Sequence, residues 1–117
     1  MKIVKAEIFM VDLKPKVKRV DAIQSFVSQE TPIIRLTTSS GEIGEGYTYT
    51  IGTGGSSVVA LLRDHLLPKL IGQDATMIEG IWESLLFSTH ATSVGAITSL
   101  ALAAIDTALW DLKCKRM

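Results

Sequence analysis

Hydrophobic and polar positions change period along the chain, and each change marks a new element. Residues 2–13 alternate imperfectly, with Ile3, Lys5, Glu7, Phe9 and Val11 set against Val4, Ala6, Ile8 and Met10. Alternation with β-branched and aromatic residues predicts a half-buried strand. Residues 14–21 break that pattern with Pro15, Lys14, Lys16, Lys18 and Arg19, so an exposed loop is expected there. Residues 22–30 carry Ile23, Phe26 and Val27 without a clear period. Residues 31–38, with Ile33, Ile34, Leu36 and three threonines, predict a second strand. Ser39-Ser40-Gly41-Glu42 is a turn, in which Gly41 is free to take positive φ. Residues 43–50 return as a third strand, with Tyr47 and Tyr49 on one side. The short turn predicts an antiparallel hairpin, and the three strands together a meander. Gly44 and Gly46 inside the third strand mark a bulge or a close approach by another piece of backbone.

After Gly52-Thr53-Gly54-Gly55 the period becomes helical. Ser56 or Ser57 would cap a helix running toward Leu67, with Val58, Leu61, Leu62 and Leu66 as its apolar stripe. Pro68 should end or bend it, because the ring removes a donor and clashes one turn back. Gly72 is a plausible stop. Thr76-Met77-Ile78-Glu79 fits a capping box that opens a helix through about Phe87, with Ile78, Ile81, Trp82 and Leu85 on one face. A last helix is expected from Thr92 or Ser93. Its stripe of Val94, Ile97, Ala101, Ala104, Ile105, Ala108, Leu109 and Leu112 is widened by Leu100, Leu102 and Ala103. A helix apolar on most sides must be covered on most sides. The other elements are too few for that, so the pattern calls for a further packing partner. The expected fold class is α+β, a three-stranded antiparallel meander followed by about three helices, as one domain over residues 1–117.

Composition narrows the function. The 117 residues carry 12 basic and 12 acidic side chains, so no net field draws the chain to nucleic acid or to an anionic membrane. The zero is an average over patches, because seven of the basic residues fall in 14–19 and 113–116. At 47% hydrophobic and 21% charged, the chain has the composition of a folded domain. Cys114 is the sole cysteine, which excludes an intrachain disulfide or a zinc cluster and fits a reducing, cytoplasmic setting. Lys5 and Glu7 interrupt the opening apolar run, so it does not read as a secretory signal. Residues 84–105 carry no formal charge, a length that could span a membrane. Seven of these 22 are Ser or Thr, however, so a polar loop and a buried helix are expected instead of a span.

Local motifs for chemistry are sparse. Gly52-Thr53-Gly54-Gly55 stands between strand and helix like a phosphate cradle, but it lacks the third glycine of a dinucleotide fingerprint and the lysine of a P-loop. His65 and His90 have no partners at ligand spacing. No serine sits in Gly-x-Ser-x-Gly. Glu42 and Glu45 flank the hairpin turn and should face water. Asp106 interrupts an apolar run and is expected to be bonded to backbone or to a basic residue, with a catalytic role as the alternative. Asp111 is expected to pair with Lys115 at i+4. The basic loop is a solvated charge run or a gate for an anionic ligand. Tyr47 and Tyr49 belong either to the core or to a pocket beside the glycines.

Four segments together resemble a known domain. They are the opening Met1-Lys2-Ile3, the hairpin at 31–46, Leu67-Pro68-Lys69-Leu70-Ile71-Gly72-Gln73-Asp74, and, most specific, residues 103–115, Ala-Ala-Ile-Asp-Thr-Ala-Leu-Trp-Asp-Leu-Lys-Cys-Lys. The chain resembles the N-terminal capping domain of the enolase superfamily, mandelate racemase/muconate lactonizing enzyme group, with Cys114 where the motif usually has Gly. The resemblance implies a larger enzyme in which this domain closes over a modified TIM barrel. The barrel would supply the Mg²⁺ ligands and the acid/base groups that remove a proton α to a substrate carboxylate. No catalytic or metal-binding residue is then expected in this chain, which alone should be inactive. Two loops, at residues 14–29 and 47–55, would cover the substrate and exclude water. Lys18, Arg19, Asp21, Tyr47, Tyr49, Thr50 and Ile51 are the implied substrate-binding residues. Gly46-Tyr47-Thr48-Tyr49-Thr50 followed by Gly54-Gly55 resembles acid-sugar dehydratases and cycloisomerases of the group. Racemisation or lactonisation on the same fold, and a stand-alone non-catalytic interaction module, are the alternatives. The implied partners are the barrel domain, a small anionic carboxylate and further copies in a homo-oligomer, with no nucleic acid or membrane.

Overall fold

A computed structural model describes residues 1–12, 19–20, 25–26, 29–93 and 95–117. Five strands come first: β1 (Ile3–Asp12), β2 (Arg19–Val20), β3 (Ser25–Phe26), β4 (Glu30–Thr38) and β5 (Ile43–Tyr47). They are followed by α1 (Gly55–Leu61), a π-helical segment (Leu62–Leu66), α2 (Leu67–Leu70), α3 (Ile78–Ser88) and α4 (Ala96–Arg116). The main sheet is antiparallel in the order β1-β4-β5, the expected meander, and β2 pairs with β3 separately. Arg19 and Val20 therefore belong to a strand where the basic run had suggested loop; cross-strand pairing with Ser25 and Phe26 is a long-range choice that local charge does not reveal.

One face of β4 is the floor of the core. Pro32, Ile34, Leu36 and Thr38 are buried, while Ile33, Arg35 and Thr37 alternate on the other face. The outer face is built in cross-strand rows: Phe9–Ile33–Tyr47, then Glu7–Arg35–Glu45. Arg35 sits 5.3 Å over the Phe9 ring and pairs with Glu45 at 3.1 Å. Against the inner face pack Val58, Leu62 and Leu66, then Ile78, Ile81 and Leu85, and finally Ala101, Ala104, Ile105, Ala108, Leu109 and Leu112 of α4.

The close approach foreshadowed by Gly44 and Gly46 is made by α4. A Cβ on Gly46 would stand against the Ala104 carbonyl and 2.7 Å from the Ala108 nitrogen, and one on Gly44 against the Ala108 carbonyl and Leu112. Helix backbone thus rests directly on strand backbone. Asp111 ties the two together by accepting the Glu45 N–H at 2.9 Å, and Lys115 donates to the Ile43 carbonyl at 2.8 Å.

Five local expectations shift. Strand β5 stops at Tyr47, and Thr50 returns to the sheet only as an isolated bridge to Glu30. Helix α1 starts at Gly55, not behind a serine cap: Gly54, with φ of 93°, turns the chain into the helix without a side-chain cap. The capping box at Thr76 does not form, because Asp74 captures both the Thr76 N–H and its hydroxyl. Helix α4 begins at Ala96, later than Thr92. The hydroxyls of Ser88, Thr92 and Ser93 bond carbonyls three residues back, which favours turns over helix across that segment. Pro68 does not itself end the helix, which runs on to Leu70. The preceding turn widens to a π turn, with the Leu67 N–H reaching the Leu62 carbonyl. The backbone leaves the helix at Ile71, and Gly72, with φ of 87°, completes the turn in which the Gln73 N–H bonds the Leu70 carbonyl.

Candidate functional site

The start of β4 and the end of β5 meet at one end of the sheet. Past Tyr47 the chain keeps a broken ladder, with the Thr48 N–H donating to the Pro32 carbonyl at 3.1 Å. Glu30 and Thr50 then exchange both backbone bonds, at 2.8 and 3.0 Å. Gly52 and Gly54, at φ of 81° and 93°, fold the segment back toward α1, a course that side-chain-bearing residues rarely take. Between this loop and the first turns of α4 lies a cavity of about 850 Å³. Gln29, Tyr49, Thr50, Ile51, Thr53 and Gly54 form its loop side, and Ala96, Ile97 and Leu100 its helix side.

Three of the implied substrate residues, Tyr49, Thr50 and Ile51, thus border one cavity. Tyr49 is 51% exposed, whereas Thr50 is 7% exposed and donates its hydroxyl to Glu30 at 3.1 Å. Tyr47 is not in the core; it is 62% exposed in the outer row with Ile33 and does not line the cavity. Lys18 and Asp21 lie outside the described residues, and so does most of the 14–29 loop; Arg19 is placed by its backbone in β2. Gln29, the last residue of the expected 14–29 loop, lines the cavity although it was not singled out, and sequence reasoning missed the α4 contribution. Ile97 and Leu100 read as core stripe, and nothing local signals that the first turns of α4 are open on one side.

Among the described residues, the cavity lining carries no formal charge. The ionisable groups of interest lie elsewhere. Asp111 pairs with Lys115 at 3.0 Å as expected, and its carboxyl is held below the ordinary range, first by the Glu45 N–H and then by Lys115. Asp106 departs from expectation: among the described residues no backbone donor or basic side chain reaches it. It borders a groove of about 230 Å³ with Ile78, Glu79, Trp82 and Trp110, and burial pushes its carboxyl up. Glu42 accepts from Ser40 and Glu45 from Arg35, so the two do not form a carboxylate pair. His65 and His90 are exposed. Among the described residues no three His, Cys, Asp or Glu side chains converge as a metal site would require, and no helix is long and apolar enough to cross a membrane.

Comparison with known proteins gives this arrangement a context. A 3,6-anhydro-alpha-L-galactonate cycloisomerase of Streptomyces coelicolor is 41% identical over 80 residues, which are 68% of this chain and 22% of that protein. The crystal structure of a racemase from Streptomyces coelicolor A3(2) with bound magnesium superimposes with a TM-score of 0.93 at 32% identity, over 97% of this chain and 32% of that one. That of L-talarate dehydratase from Polaromonas sp. JS666, complexed with Mg and L-glucarate, superimposes with a TM-score of 0.90 at 27% identity, over 98% of this chain and 32% of that one. The chain therefore spans between a fifth and a third of the length of these relatives. Residues 5–117 match the family model of the mandelate racemase/muconate lactonizing enzyme N-terminal domain, and the chain belongs to that family.

Proposed function

We propose that this chain is the substrate-covering, specificity-setting domain of a Mg²⁺-dependent enzyme. The enzyme removes the proton α to the carboxylate of a sugar acid and carries the product on to dehydration or cycloisomerisation. The observation that carries this reading is the cavity of about 850 Å³ beside the 49–54 loop. It offers the Tyr49 phenol, the Thr53 hydroxyl and the Gln29 amide around an aliphatic wall, the mixture that a polyhydroxylated ligand needs for orientation. The ligands named for two relatives, an anhydrogalactonate and L-glucarate, are hydroxylated carboxylates of this kind. Lys18 and Arg19, with Asp21, complete the substrate side in this reading, the cations answering the carboxylate. Tyr47, Tyr49, Thr50 and Ile51 form the covering loop, which binds substrate and excludes water. Mg²⁺ and the acid/base groups belong to the barrel of the complete enzyme. Its cytoplasmic, homo-oligomeric character is part of the same proposal.

Racemisation shares the first step and is favoured by the likeness to the Streptomyces racemase. One assay tests both outcomes. The complete enzyme with Mg²⁺ is challenged with a panel of mono- and dicarboxylic sugar acids, and product is followed by NMR in deuterated water. Turnover of at least one acid with exchange at the α-carbon, abolished by a chelator, is expected. A folded, Mg²⁺-replete enzyme that leaves the whole panel unchanged and unexchanged overturns the reading and favours a non-catalytic interaction module.

A further inference from the structure

Glu30 bonds Thr50 of the cavity wall and Gly55 just beyond it. We propose that Glu30 is the positioning residue of the site: through Thr50 and Gly55 it sets the course of the 49–55 loop. Its effect on turnover rests on the function proposed above, whereas the clamp itself does not.

The geometry is specific. Glu30 opens β4 and exchanges both backbone hydrogen bonds with Thr50. Its Oε1 then accepts the Thr50 hydroxyl at 3.1 Å and the Gly55 backbone N–H at 3.4 Å. One carboxylate oxygen thus gathers donors from both ends of the excursion that carries Ile51, Thr53 and Gly54 along the cavity. The excursion contains two left-handed glycines, Gly52 and Gly54, which leave it more alternative conformations than any other residue type would. A tether at both ends removes those alternatives before substrate arrives.

Gly55 is shaped to receive the carboxylate. A Cβ there would lie 2.7 Å from both Glu30 Cδ and Oε2 and 2.9 Å from Glu30 Cβ. Glu30 and Gly55 therefore form a fitted pair, and either can be broken independently. Glutamine at position 30 keeps an acceptor oxygen at the same reach, although without the strength that charge lends to a hydrogen bond. Alanine keeps neither.

The test compares Glu30→Ala, Glu30→Gln and Gly55→Ala in the complete enzyme by hydrogen–deuterium exchange and by steady-state kinetics. Glu30→Ala and Gly55→Ala are expected to speed exchange across residues 49–55 by about tenfold or more while α4 is unchanged. KM for the sugar acid should rise about tenfold, with kcat within about threefold, as expected for lost ground-state positioning. Glu30→Gln should recover most of both effects. Unchanged exchange at 49–55 in Glu30→Ala overturns the clamp, as does exchange that rises equally throughout the domain. An enzyme inactive on every sugar acid defeats the proposed function, yet the exchange measurement still decides the clamp.

Discussion

Asp106 borders the groove between α3 and α4. Its place in an apolar run marked it as a carboxylate under constraint, and burial does push its carboxyl up. The partner could not be read, because what surrounds it, Ile78, Glu79, Trp82 and Trp110, is assembled from two helices. A carboxyl whose pKa is higher folded than unfolded leaves stability untouched at low pH. Stability is then lost as pH rises through the unfolded value and on to the folded one. Asp106→Asn is therefore expected to melt above the parent chain at neutral pH. The gap should close near about pH 3, where both side chains are neutral. A gap that persists in acid would mean that the charge is not its cause. Thr50 makes the complementary point. Residue type and position put it in the loop, but only its burial against Glu30 shows that its hydroxyl faces inward.

At the scale of elements, the contact of α4 with β5 decides the geometry of the domain. Gly44 and Gly46 were readable as a place of close approach, and the visitor is α4. Gly46→Ala is expected to destabilise the chain by about 3 kcal/mol in urea unfolding, at the upper end of overpacking costs because helix backbone must give way. Asp111 fastens the same contact from the helix side. Asp111→Ala should lose about 1 kcal/mol at neutral pH, a typical net hydrogen-bond contribution. Because the Asp111 carboxyl is held below its ordinary range, that contribution is present above the unfolded pKa and fades as pH falls through the folded one. A variant whose deficit is the same at acid and neutral pH would place the loss in packing instead. Helix boundaries were less readable than helix existence. Ser and Thr side chains around 88–93 compete for carbonyls, and Asp74 outcompetes Glu79 for the turn before α3.

Over the whole molecule, the apolar excess of the chain ends on an open side. Trp82, Leu86 and Phe87 of α3 and Trp110 of α4 are exposed, Phe87 at 72%. The stripe of α4 itself departs from expectation, because Ala101, Ala104, Ile105, Ala108, Leu109 and Leu112 are all covered within this domain; the open apolar surface lies mainly on α3. The chain by itself is expected to bind a hydrophobic dye strongly, with emission that falls in the complete enzyme. A dye-silent, monodisperse chain would show that this face needs no cover.

Spacing along the chain was enough for the periods, and with them the meander, the helices, the glycine contact and the family motif at 103–115. Each of these depends on spacing along the chain, which backbone geometry converts directly into faces. Which side chains meet became visible only in the folded molecule. The cavity joins residue 29, residues 49–54 and residues 96–100, and the Glu30 clamp joins positions twenty and twenty-five apart. Those meetings follow from cross-strand register and from the helix that lies on two glycines. Both are products of the whole fold, so no local pattern could announce them.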